Sequence, residues 1–60
     1  MKNPAKFARV TYSLFSQEGR FQISLTSEGD IDPLVHEYQN LGCGVVVDRH
    51  NMWLIVTCGS

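Results

Sequence analysis

No stretch of this sequence approaches the ~20 consecutive apolar residues of a membrane span, which excludes a transmembrane helix and any membrane partner that needs one. The opening MKNPAKFARV carries no apolar run of the signal-peptide kind, so the expected location is cytoplasmic. Cysteine is scarce, with two residues in 60, too few for a disulfide framework. The candidate metal ligands are His36, Cys43, His50 and Cys58. They lack the paired spacing of structural zinc sites, and His36 falls on the solvent side of its segment, so no metal is expected. No G-x-S-x-G, phosphate loop or paired-carboxylate signature is present. A chain this small could hardly enclose a pocket of roughly 300–1,000 Å³. Neither enzymatic activity nor a cofactor is expected. Excess basic charge is missing too: five Lys and Arg against six Asp and Glu give a net charge of -1. That balance argues against a general polyanion binder, and no RNP-type motif appears. There are no internal repeats and no low-complexity segment.

What remains is an ordinary globular composition, 43% hydrophobic and 18% charged. The length bounds the answer at one domain. Below roughly 70–80 residues a single core rarely supplies more than about 3–5 kcal/mol, and a staple or a second copy is usually needed. Charge is unevenly placed. Lys2, Lys6 and Arg9 precede every acid, and Glu28, Asp30, Asp32, Glu37 and Asp48 come later.

Residues 1–5 are expected to be a flexible N-terminal tail and residues 6–60 a single small α+β domain. In FARVTYSLFS, Val10, Tyr12 and Leu14 alternate with polar residues, the period of a half-buried strand. RFQISLT repeats the pattern with Phe21, Ile23 and Leu25. SQEG between them suits a type I turn with Gly19 left-handed, which would set Leu14 against Phe21, Tyr12 against Ile23 and Val10 against Leu25. A short helix follows, with Asp32 as N-cap, Pro33 in the first turn and Gly42 at the C-terminal end. Its apolar stripe is Leu34, Val35, Tyr38 and Leu41. The last segment, CGVVVDRHNMWLIVTC, reads as a hairpin around a tight turn. The expected fold is therefore ββαββ: a four-stranded, mainly antiparallel sheet with one short helix packed on one face.

That final hairpin is apolar on both faces. Cys43, Val45, Val47, Met52, Leu54 and Val56 share one, and Val46, Trp53, Ile55 and Thr57 the other. One helix covers only one face, so a second partner is called for. The candidate interface comprises Phe7, Arg9, Phe15, Arg20, Val46, Trp53 and Ile55. A homodimer buries such a face most simply, because both copies offer the same patch. Another protein partner fits the same chemistry. The function expected is that of a small non-enzymatic binding protein, such as a bacterial or phage accessory protein. The alternative is a single-stranded nucleic-acid binder, stacking bases on Phe7, Phe15 and Trp53 with Arg9 and Arg20 alongside. Cys43 and Cys58 open and close the hairpin. A disulfide there requires Cα atoms within about 7 Å, and a reducing compartment favours two small buried hydrophobes instead.

Overall fold

The computed structural model describes residues 2–59. Helix α1 (Pro4–Phe15) leads through a 3-10 turn (Ser16–Glu18) into strand β1 (Arg20–Ser24). A second 3-10 turn (Glu28–Asp30) opens helix α2 (Ile31–Asn40), and strands β2 (Gly44–Asp48) and β3 (Trp53–Thr57) follow. The sheet order is β1-β3-β2. Both pairings are antiparallel, so β1 and β2 run the same way on either side of β3, and α2 carries the chain from one edge to the other.

The α+β class holds, but the four-stranded sheet with one helix is corrected to three strands and two helices. The difference lies in residues 4–15. Asn3 caps α1, its side-chain oxygen accepting the Lys6 N–H at 3.0 Å, and Pro4 sits where its missing N–H has no cost. Of the expected loose tail, Asn3 is thus the cap and Pro4 and Ala5 are helical, while Met1 lies outside the described residues. Ala8 and Thr11 are buried, and Phe7 and Tyr12 pack against the core beside them. Positions 7, 8, 11 and 12 form one helical face. Val10 and Leu14 fall outside it and are 49% and 66% exposed. Three apolar residues at alternate positions are too few to tell a strand from a helix, and here only Tyr12 of the three meets the core.

The hairpin register proposed for Val10, Tyr12 and Leu14 therefore does not form. Strand β1 pairs with β3 instead, setting Phe21 opposite Val56 and Ile23 opposite Leu54. Gly19 does take a positive φ, +80°, but it ends the 3-10 turn after α1. Its carbonyl accepts the Cys58 N–H at 2.8 Å, which extends the β1–β3 pairing.

Asp32 is not the cap of α2. The preceding 3-10 turn runs straight into the helix, which begins at Ile31 and drives that side chain into the core at 1% exposure. At the far end Gly42 has φ +87°. The Gly42 N–H donates to Gln39 and the Cys43 N–H to Tyr38, both at 3.0 Å. This is the Schellman pattern, and it delivers the chain directly to β2.

The core lies between the helices and one face of the sheet. Tyr38, Ile31, Leu34, Leu54 and Val56 are its largest fully buried side chains. The Phe21 ring packs against Phe15 of α1 at 5.7 Å and edge-on to Tyr38 of α2 at 5.8 Å. Buried at the α1–α2 contact, the Thr11 hydroxyl lies 2.9 Å from the Phe7 carbonyl, 3.1 Å from that of Ala8 and 2.7 Å from the Tyr38 phenol. Thr11 has a single proton and two carbonyls to receive it, so the phenol donates to the Thr11 oxygen.

Two predictions follow from these contacts. Asn3→Ala should lower stability by about 0.5–2 kcal/mol, and Asn3→Asp should retain most of it; denaturant titration measures both. Tyr38→Phe should cost about 1 kcal/mol, since Thr11 keeps a carbonyl partner. Thr11→Val should cost more, about 1–3 kcal/mol, because it strands a buried phenolic O–H. The reverse ranking would contradict the assigned donor.

Candidate functional site

Alternation along the three strands sends Phe21, Ile23, Val45, Val47, Leu54 and Val56 toward the helices. It sends Arg20, Gln22, Ser24, Gly44, Val46, Asp48, Trp53, Ile55 and Thr57 to the opposite face. No described element covers that outer face. Its residues form three rows across the sheet. Gln22, Ile55 and Val46 make the middle row, with Ser24, Trp53 and Asp48 on one side of it and Arg20, Thr57 and Gly44 on the other. Directly opposed side chains on such a face have Cβ atoms about 4.5–5.5 Å apart, and diagonal neighbours stay within reach of a large ring. Trp53, Ile55 and Val46 therefore form one apolar strip. Val46 is 60% exposed, while Trp53 and Ile55 are half-buried by their neighbours. Polar residues surround the strip, and Arg20 and Asp48 occupy diagonally opposite corners.

Four of the seven expected interface residues, Arg20, Val46, Trp53 and Ile55, come together here. The other three do not join them, because the segment bearing them is a helix on the other side of the sheet. Phe7 packs against the core, Arg9 is exposed on α1, and Phe15 packs at a tilt against Phe21. Reading residues 7–15 as a strand also hid the exposure of Val10 and Leu14. Their spacing of four, offset from Ala8 and Thr11, marks a second helical side and was the available signal.

The turn between β2 and β3 is built by Asp48, whose carboxylate accepts the Asn51 backbone N–H at 3.1 Å and side-chain amide at 2.9 Å. These bonds, the side-chain amide first, hold the Asp48 carboxyl below the usual carboxylate range. Asp48 thus stays charged at its corner of the outer face. Arg49 leaves the same turn to meet Glu28 at 3.0 Å and Asp32 at 3.9 Å, an exposed cluster worth little by itself.

Cys43 and Cys58 lie on the helix side, both buried and both free thiols, with their Sγ atoms 2.7 Å apart. Burial, then the contact with Cys58, pushes the Cys43 thiol up to about 12. Burial also raises the Tyr38 phenol. His36 is exposed on α2 and His50 is exposed in the turn, and no three His, Cys, Asp or Glu among the described residues gather closely enough to hold a metal ion. No described helix is long and apolar enough to cross a membrane. No known protein family, no curated protein and no solved structure matches this chain.

The Cys43 shift gives a pH dependence with a definite sign. Below the ordinary value of 9.0 both folded and unfolded chains keep the proton, and the stability is fully present. From there toward about 12 the unfolded chain releases a proton that the folded chain retains, so stability falls with rising pH. The melting temperature of the reduced protein should therefore drop between pH 8 and pH 10, and a flat or rising profile would contradict the buried, protonated thiol.

Proposed function

We propose that this chain is a small non-enzymatic binding protein whose outer sheet face docks a second copy of itself. The observation that carries this reading is the apolar strip Trp53–Ile55–Val46, left uncovered inside a polar rim. An apolar centre within a polar margin is the usual anatomy of a protein interface. The corner charges support a symmetric partner. A two-fold axis lying in the face, perpendicular to the Arg20–Asp48 diagonal, sets each Arg20 over the partner's Asp48. The same axis crosses the two strips at Ile55, with the strands of the two sheets running steeply to one another in the orthogonal class.

Size limits the strength of such a dimer. Three strands about 4.8 Å apart and five residues long, at about 3.4 Å per residue, make a face of roughly 14 by 17 Å. That is well short of the ~800 Å² per partner of a standard stable interface, so the dimer is a weak one. Its population should rise steeply with concentration.

Sedimentation equilibrium up to about 1 mM protein, the weak end of specific association, tests this reading. The wild type should move from monomer toward dimer, with a melting temperature that rises with concentration. Val46→Lys should remain monomeric while changing monomer stability by less than about 0.5 kcal/mol, as exposed substitutions usually do. Leu14→Lys, on α1, should dimerise like the wild type. A monomeric wild type throughout, or a dimer lost in Leu14→Lys and kept in Val46→Lys, would overturn the proposal. Quenching of Trp53 fluorescence by a single-stranded oligonucleotide, with no self-association, would replace it with nucleic-acid binding.

A further inference from the structure

Cys43 and Cys58 occupy the register position just past the last ladder pair, Gly44 opposite Thr57. Neither backbone N–H is directed at the other residue. That of Cys43 goes to Tyr38 at 3.0 Å and that of Cys58 to Gly19 at 2.8 Å. The two are thus a non-hydrogen-bonded antiparallel pair, the closer kind, in which Cα atoms stand about 4.5 Å apart. That spacing falls inside the range a disulfide accepts. Both side chains point to the helix face, and their sulfur atoms are already 2.7 Å apart. Closing to a bond of about 2.05 Å takes a movement of about 0.7 Å.

We propose that Cys43 and Cys58 form a reversible dithiol–disulfide switch that staples the β2–β3 hairpin at its open end. The co-reactant is a low-molecular-weight disulfide of the glutathione type. One cysteine loses its proton and attacks a sulfur of that molecule, forming a mixed disulfide and releasing a thiolate that takes up a proton. The second cysteine, deprotonated in turn, attacks the protein sulfur of the mixed disulfide and expels the other thiol. The protein loses two hydrogens and two electrons, and one small disulfide becomes two thiols.

The bond would close a ring holding both strands and their turn. It would also tie the Schellman end of α2, through Cys43, to β3. A domain of this size has little stability to spare, so a cross-link moves it from marginal to secure. The thiols are 7% and 4% exposed, so reaction requires the end of the hairpin to open. The Cys58–Gly19 backbone bond is one of the contacts holding that end closed. The switch does not depend on self-association.

The test treats the wild-type protein with mixtures of reduced and oxidised glutathione, quenches with acid, and reads intact mass and free thiols after denaturation. The expected product is a monomer lighter by two hydrogens, with no free thiol and no glutathione attached. Its melting temperature should exceed that of the reduced form by more than about 10 °C, and dithiothreitol should reverse both changes. Cys58→Ser should melt at the same temperature under both conditions. Should that variant not fold, the wild-type comparison decides alone. A persistent glutathione adduct, a disulfide-linked dimer, or an intramolecular disulfide without a rise in melting temperature would each overturn the switch.

Discussion

Strand β3 is the one strand paired on both sides, and β1 and β2 touch the sheet only through it. Its five residues must therefore satisfy two neighbours and two faces at once. Leu54 and Val56 are fully buried beneath the helices, while Trp53 and Ile55 look outward, half-buried, with no described element above them. Moving β3 by one residue would exchange these sets and send Trp53 into a space filled by Leu54. The helix layer, the outer strip and the alignment of Cys43 with Cys58 all follow from that single register. Substitution at Leu54 or Val56 should accordingly unfold the whole chain rather than loosen one edge, since a buried Leu→Ala costs about 2–5 kcal/mol.

The helices add their own constraint at the Thr11–Tyr38 contact. The Tyr38 phenol is completely enclosed, and Thr11 supplies its partner from the adjacent helix. A buried polar group left without a partner is costly, so this bond fixes how α1 lies on α2. The Phe15–Phe21–Tyr38 sequence of rings then joins α1, β1 and α2. The arrangement buries the inner face of the sheet under the helices and leaves its outer face bare.

Where the sequence was legible, several independent signals agreed. The β2–β3 hairpin had β-branched runs, a turn-forming Asp48 and Asn51, and matched apolar positions, and its pairing and the faces of its strand residues are as read, while Met52, read with Leu54 and Val56, lies in the turn at φ +55°. Gly19 and Gly42 were legible because backbone geometry selects glycine where φ is positive. Residues 4–15 misled because Val10, Tyr12 and Leu14 alternate by accident of a helix whose outer side is itself apolar. The counter-signal was Asn3-Pro4, a cap followed by proline, the same logic applied to Asp32-Pro33. At Asp32 that logic failed for another reason. The 3-10 turn before it starts the helix early, and Ile31 gains more from burial than Asp32 would from capping. Of the candidate interface, Arg20, Val46, Trp53 and Ile55 share one sheet face, and Phe7, Arg9 and Phe15 fall outside it because their segment is α1.

The central proposal is that the bare outer face of the sheet, and no other surface, docks a second copy of this chain. Residue-resolved NMR at rising protein concentration tests it most directly. The account predicts concentration-dependent shifts confined to Arg20, Gln22, Val46, Ile55 and the Trp53 indole, with Val10 and Leu14 unmoved. Shifts centred on Val10, Leu14 and Phe15, with a silent sheet face, would contradict it.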